Sequence, residues 1–196
     1  MLAIRQGLAL GPGATPPRGG FLLGCPAERY AALIGAGGVL AVEQGGALAG
    51  FAVTLAAPVL RASELWARRE LIRWRPGYGE PPADEDIAYF DQLALAPWAS
   101  RLLAPTLALA AATALAKGGH RHLYATTLSR PIVNNASLVL LAAGGARHVA
   151  EVTEHYDGVG EVVSALHHLL LPDALRRTLA TAAGARCAAA GLRLAA

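Results

Sequence analysis

The segment IAYFDQLALAP, residues 87–97, has the pattern of a strand and carries two side chains able to exchange protons. Side chains two residues apart on a strand share a face, so Tyr89, Asp91 and Leu93 are predicted to lie together. A carboxylate next to a phenol is suited to general acid–base chemistry. Asp91 is therefore the candidate base, acting directly or through a water molecule. The alternative is a solvated carboxylate near the end of a strand.

The turn after this strand, SRLLAPT at residues 100–106, lies where strand–turn–helix units often present backbone N–H groups to a phosphate. Its residues include no glycine, and the side chains of Leu102 and Leu103 keep a phosphate farther from the backbone than glycine would. Pro105 fits the first turn of a helix but has no N–H group to donate. Arg101 and the helix dipole offer partial compensation, about 1 kcal/mol from the dipole. Any phosphate site here is expected to be weak.

Histidine and cysteine give only weak signals for a metal. His120 and His122 have the spacing to share an ion on a strand, but a third ligand at suitable spacing is missing from the sequence around them. A cationic cluster just past a helix C-terminus is the favoured interpretation. His167 and His168 are predicted to face opposite sides of a strand, which argues against a site there. No metal is expected.

The composition favours a globular protein with a sizeable core. The chain has 196 residues, of which 54% are hydrophobic and 16% are charged, and it carries a net charge of +3. This small excess of positive charge, without a long basic run, argues against a nucleic-acid-binding protein. The uncharged, helix-forming run at residues 102–116 is interrupted by proline and is shorter than the roughly 20 apolar residues of a membrane-spanning helix. We expect a cytoplasmic protein with one domain over residues 1–171 and a helical appendage over residues 172–196.

Hydrophobic periodicity and turn residues predict an α+β fold, with a mixed, mostly antiparallel twisted sheet flanked by helices. Helices are predicted over residues 26–34, 106–117, 134–143 and from Asp173 onward. A hairpin is predicted through Gly45 and Gly46, and a second through Asp157 and Gly158. Because a helix must cross between them, the strands near residues 87–95 and 123–127 are predicted to be parallel and adjacent. At most a short strand is expected in residues 1–24.

The segment RASELWARRELIRWR, residues 61–75, has helical propensity and is rich in arginine and tryptophan. One interpretation is a lid or wall over a substrate that has an anionic or aromatic part. The other is an amphipathic helix that packs Trp66 and Trp74 on the sheet and leaves its arginines in solvent.

The order of elements over residues 39–171 resembles the GNAT (GCN5-related N-acetyltransferase) family. LALAP, residues 93–97, is similar to the central strand of that family and the proline after it. NNASLVLLAAGG, residues 134–145, is similar to its asparagine-containing helix, which ends in glycine before the last hairpin. The resemblance implies a GNAT-like acyl-CoA N-acyltransferase fold, acetyl-CoA as co-substrate and a small amine-containing acceptor.

The resemblance also implies which residues contact the cofactor. Backbone groups of the central strand would hold the pantetheine arm and the thioester carbonyl, and the turn would face the pyrophosphate. The implied cofactor-binding residues are Leu93, Ala94, Leu95, Ser100, Arg101, Leu102, Leu103, Ala104 and Asn134.

Two departures from the family pattern affect the expected activity. Leu103 and Pro105 occupy the positions at which the family usually has glycines. Leu141 lies seven residues after Asn134, where many members have a tyrosine that protonates the leaving thiolate. Tyr124, on the neighbouring strand, is the replacement acid to test, although a tyrosine half-buried by packing is the commoner explanation. A catalytically inactive CoA-binding or regulatory domain, and a homodimer formed through the alanine-rich terminal helix, remain alternatives.

Overall fold

A computed structural model describes residues 1–10, 20–21, 25–81, 86–157, 159–181 and 184–185. Its described strands form one seven-stranded sheet in the order β1-β2-β4-β5-β7-β6-β3. The strands are β1 Val39–Gln44, β2 Ala47–Ala56, β3 Ile72–Trp74, β4 Ile87–Leu95, β5 His122–Arg130, β6 Arg147–Tyr156 and β7 Gly160–Leu170. The helices are α1 Leu2–Gln6, α2 Ala27–Gly35, α3 Ala57–Arg61, α4 Glu64–Ala67, α5 Leu103–Lys117, α6 Asn135–Ala143 and α7 Leu171–Leu179, with a 3₁₀ turn at Arg69–Leu71.

The sheet is mixed and mostly antiparallel, which confirms the predicted fold class. Both predicted hairpins are present, β1 with β2 and β6 with β7. Gly45 and Gly46 both have positive φ, 62° and 78°, as the tight turn of the first hairpin requires. The strands β4 and β5 are parallel and adjacent, with α5 crossing between them, as predicted.

The two faces of the sheet have different cores. One face carries a cluster that includes Phe51, Leu55 and Ile87 and is covered by α1, α2 and α3. The other face packs against α5 and α7 through residues such as Leu107 and Leu171. The strand β4 contributes to both clusters, so the middle of the sheet lies between two packed layers.

Residues 61–75 do not form the amphipathic helix that was one of the two interpretations of this segment, although Trp66 and Trp74 do pack against the core of the sheet. Ser63 caps the four-residue helix α4 by accepting a hydrogen bond from the Trp66 N–H (3.3 Å). The chain then forms the 3₁₀ turn and the edge strand β3, which pairs antiparallel with β6. Ile72 and Trp74 alternate with an exposed arginine, and this period of two matches a strand better than a helix.

Residues 1–24 also differ from expectation, because the chain begins with the helix α1 rather than a strand. Ile4 of this helix is buried in the core beside α2. Tertiary packing of one apolar side chain therefore stabilises a helix too short to form alone. Residues 11–19 and 22–24 lie outside the described residues.

The predicted C-terminal helix is present as α7. Leu171 is fully buried and Ala174 is nearly so, against the face of the sheet that carries α5. The alanine-rich terminal helix considered for dimer formation runs from Asp173 onward, and its residues 182–183 and 186–196 lie outside the described residues. Within the described part of the chain, no helix combines the length and apolarity needed to cross a membrane.

Candidate active site

A gap between β4 and β5 forms the centre of the candidate site. The two parallel strands pair only from Ile87–Phe90 with His122–Ala125. Both strands continue beyond this ladder, β4 to Leu95 and β5 to Arg130. The pairing ends while the strands continue, so the sheet divides here and one edge of β4 lacks its β5 partner.

The backbone of β4 aims two amide groups at this gap. The Ala96 N–H donates to the Ala49 carbonyl across β2 (2.8 Å). Because backbone groups alternate in direction along an antiparallel strand, the N–H groups of Leu93 and Leu95 point the opposite way, toward β5. The Ala94 N–H points toward β2. The resemblance implies three cofactor-binding residues on β4, and of these Leu93 and Leu95 have amides in position to bind a ligand.

The gap opens into a cleft of about 1310 Å³, which is lined by elements from both faces of the sheet. The N-terminal end of α5 and one side of α6 line one end of it. Residues of α1, α2, α4 and β6 line the other end. An extended ligand can therefore lie between β4 and β5, with its ends in two chemically different environments.

Asp91 lies at a bulge in β4. In the pairing with β2, Val53 is opposite Gln92 and Thr54 is opposite Phe90, so Asp91 is the extra residue. A bulge shifts the alternation of side chains by one residue. As a result Tyr89 lies on the α2 side of the sheet, whereas Leu93 packs with the α5-side cluster. The prediction that Tyr89, Asp91 and Leu93 share one face is therefore wrong for Leu93.

The Asp91 carboxylate is largely buried, with a side chain 13% exposed. Burial raises its pKa above the ordinary value, and three smaller effects oppose the rise, from Arg29, from the Gln92 hydrogen bond and from Arg5. The Arg29 Nη2 lies 3.7 Å from Asp91 Oδ2, and the Gln92 side-chain amide donates a hydrogen bond to the same oxygen (3.1 Å). A carboxylate in this setting binds a proton more tightly than in water, which suits a general base.

The two tyrosines considered with Asp91 have different positions. Tyr89 lines the cleft, and its hydroxyl is hydrogen-bonded to Thr126. Tyr124 does not line the cleft; its ring stacks on His168, with centroids 4.8 Å apart. Tyr124 is opposite Tyr89 in the β4–β5 ladder and packs against the same core cluster.

The asparagine predicted to bind cofactor caps a helix. Asn134 is the N-cap of α6, and its Oδ1 accepts a hydrogen bond from the Ser137 N–H (3.3 Å). It also lines the cleft, together with Ser137 and Leu140. Leu141 instead packs into the cluster formed with α7. The position of the family's tyrosine is therefore occupied by a half-buried leucine that packs against a core cluster.

A cluster of charged residues at the other end of the cleft was not predicted as a unit. Arg68 Nη1 lies 2.7 Å from Glu154 Oε1, and Arg68 Nη2 lies 3.0 Å from Glu64 Oε2. The Tyr156 hydroxyl accepts a 3.4 Å hydrogen bond from Arg68. Burial raises the pKa of Tyr156 above its ordinary value. Glu154 and Tyr156 lie two residues apart on β6, and this spacing is the one sequence feature that could have indicated that their side chains share a face.

Five of the six histidines lie on strands of the sheet, and the lining of the cleft includes none of the six. His122 Nδ1 and His168 Nε2 are 2.9 Å apart, and their rings are stacked. Burial, with smaller effects from His122 and Arg147, lowers the pKa of His168 to about 4, so it is neutral at pH 7. Among the described residues, no group of three or more histidines, cysteines or carboxylates is arranged to hold a metal.

Comparison with known proteins gives no match in sequence, either to a family model or to a curated protein. Solved structures do match in fold. An N-acetyltransferase from Staphylococcus aureus Mu50 is 16% identical over 87% of this chain and 90% of its own, with a TM-score of 0.55. The ribosomal-protein-S18-alanine N-acetyltransferase from Escherichia coli is 17% identical over 87% and 84%, also with a TM-score of 0.55. Arabidopsis thaliana NAA60, in complex with acetyl-CoA, is 19% identical over 76% and 87%, with a TM-score of 0.52.

These matches cover most of each chain; the first two proteins are N-acetyltransferases, and the third is in complex with acetyl-CoA. The chain therefore has the fold of the GNAT N-acetyltransferases, which confirms at the level of fold the resemblance seen in the sequence.

Proposed function

We propose that this protein transfers an acetyl group from acetyl-CoA to the nitrogen of a small amine-containing acceptor. The observation that carries the proposal is the divided sheet, in which two amides of β4 face a gap without a β5 partner. The Arabidopsis protein of the same fold is in complex with acetyl-CoA, which supports this donor.

In the proposed complex the pantetheine arm lies between β4 and β5. The Leu93 and Leu95 N–H groups donate hydrogen bonds to it and to the thioester carbonyl, with Ala94 between them. Such donors stabilise the negative charge that develops on the carbonyl oxygen during attack. The remainder of the donor extends past Asn134 toward residues 100–104.

Asp91 is the proposed base. The attacking amine must lose a proton, and the raised pKa of this buried carboxylate brings it closer to that of the reacting group. The acceptor enters from the end of the cleft that carries Glu64, Arg68 and Glu154. These two carboxylates and one guanidinium carry a net charge of −1, which attracts an ammonium group.

The leaving thiolate needs only modest assistance. A thiol has an ordinary pKa of about 8.5, so its thiolate is already a stable leaving group near neutral pH. This explains how transfer can proceed with Leu141 in place of the family's tyrosine. Tyr124 remains a residue to test by substitution.

The proposal is tested by incubating the protein with acetyl-CoA and a panel of amines that includes amino acids, polyamines and short peptides. Thiol release is followed by absorbance, and the acetylated product is identified by mass spectrometry. Ala136→Trp places a large ring in the cleft and should abolish turnover. Ala142→Trp is the matched control, because Ala142 is exposed on the same helix and does not line the cleft.

A second candidate is a CoA-binding or regulatory domain without catalysis. It is favoured by the leucine at position 141, which cannot protonate a leaving thiolate. Binding of CoA without turnover for any amine in the panel would establish this alternative. Absence of both binding and turnover would contradict both candidates.

A further inference from the structure

The turn before α5 uses its first backbone donors within the protein. The Ser100 N–H donates to the side-chain oxygen of Gln44 on β1 (3.1 Å). The Leu102 N–H donates to the Ser100 hydroxyl (3.4 Å). Gln44 thus supplies an oxygen where a phosphate oxygen would otherwise accept a hydrogen bond.

The next three positions of the turn offer little more. The Leu103 N–H donates to the Ser100 carbonyl (3.0 Å), and the Ala104 N–H donates to the Arg101 carbonyl (3.2 Å). Pro105 has no N–H group. At every position from 100 to 105 except Arg101, a phosphate would have to replace an existing hydrogen bond or would meet no donor, which reduces the net gain.

The charges in the cleft lead to the same conclusion. Arg29 and Arg5 both attract the Asp91 carboxylate, and Arg68 is paired with Glu154, so these three cations are engaged by carboxylates. Arg101 is the cation that the turn itself contributes to the cleft, and its side chain is exposed. An exposed cation contributes little to binding, because solvent and salt screen its charge.

The gap between β4 and β5 differs from the turn, because it presents backbone donors that β5 does not use. The amides of Leu93 and Leu95 point into it and lack a β5 ladder, so a ligand there fills unused donors. The pantetheine arm of CoA is an uncharged chain with two amide groups, which matches the exposed edge of a strand.

We infer that this protein recognises its acyl donor through the pantetheine arm and that the adenosine diphosphate part of CoA adds little to affinity. The donor class is then thioesters of pantetheine in general, with acetyl-CoA as one member. This inference rests on the proposed function.

The test compares the dissociation constants of CoA and of pantetheine for the whole protein, measured by NMR titration at 50 and 500 mM salt. Each hydrogen bond to a charged group usually contributes roughly tenfold or more in affinity, so a working phosphate cradle gives a large ratio. We expect CoA to bind less than tenfold more tightly than pantetheine at both salt concentrations. A ratio above tenfold overturns the inference and leaves the proposed function intact. Failure of both compounds to bind at millimolar concentration overturns the inference and the proposed function together.

A substitution at Gln44 tests whether its hydrogen bond to the Ser100 N–H weakens the binding of CoA at the turn. Gln44→Ala frees the Ser100 N–H, so it should increase the affinity for CoA a few-fold and leave that for pantetheine unchanged. Gln6→Ala, an exposed glutamine on α1, is the control and should change neither. An unchanged ratio in Gln44→Ala counts against the role assigned to the turn.

Discussion

Replacement of Asp91 by asparagine should stabilise the fold at neutral pH while it removes activity. The carboxylate is buried, and its pKa is raised chiefly by loss of solvation, so its ionised form is less favourable in the folded chain than in the unfolded one. Asparagine keeps an oxygen to accept the hydrogen bond from Gln92 and carries no charge. The lost attraction to Arg29 is small, because that arginine is 41% exposed.

The pH dependence follows from the sign of the shift. A raised pKa in the folded state means that the protonated carboxyl stabilises the fold at low pH, and that this contribution is lost as the pH rises through the folded-state pKa. Removing a poorly solvated charge at pH 8 should add about 1 kcal/mol. For a chain of this length that corresponds to a rise in Tm of about 2–4 °C. The difference should shrink as the pH falls toward 4.

Thermal unfolding of both proteins at pH 8 and pH 4.5 measures this difference. Arg29→Gln is the matched control, because it leaves the carboxylate without its nearest cation and should lower Tm at pH 8. Turnover of Asp91→Asn with a competent amine should fall by about 10²–10⁴-fold, the usual cost of losing a general base. A Tm that falls equally at both pH values, or full turnover, would refute the reasoning about Asp91.

Three further substitutions test other parts of the structure. Tyr124→Phe should leave turnover unchanged, since its ring stacks on His168 outside the cleft; a loss above tenfold in steady-state rate would restore it as the candidate acid. Arg68→Gln should lower the free energy of unfolding by about 1 kcal/mol, because it leaves the mostly buried Glu154 without its cation; a double-mutant cycle with Glu154→Gln should show coupling, and strict additivity would contradict the pairing. His168→Gln should reduce the loss of Tm between pH 7 and pH 5. In this range the unfolded chain binds a proton at His168, whereas the folded chain, in which the pKa is lowered to about 4, does not, so the fold loses stability as the pH falls. An unchanged pH profile would disprove the neutral state of His168.

The sequence predicted the fold where the signals were local. The two hairpins, the crossover helix and the parallel pair β4–β5 followed from glycine turns and from hydrophobic periodicity. It failed at residues 61–75, where a strand of three residues depends on docking against the edge of β6 rather than on its own propensity. The helix α1 was missed for the same reason, because one buried isoleucine holds it in place.

The candidate site was predictable in part. The order of elements placed Leu93–Leu95 at the centre, but the alternation rule could not anticipate the bulge at Asp91, which depends on pairing with β2. The contribution of Gln44 to the turn was invisible, because it comes from a strand 56 residues earlier in the chain. The pairing of Arg68 with Glu154 spans 86 residues and was hidden for the same reason.

The central claim is that the divided sheet holds the acyl donor through amides of β4. Amide hydrogen exchange, followed by NMR at each residue with and without CoA, tests it directly. Without ligand, the Leu93 and Leu95 amides should exchange faster than those of Ala94 and Ala96, which point to β2. Saturating CoA should slow exchange at Leu93 and Leu95 and leave Ala94 and Ala96 little changed. Equal protection of all four amides without ligand, or no change at Leu93 and Leu95 when CoA is bound, would contradict the account.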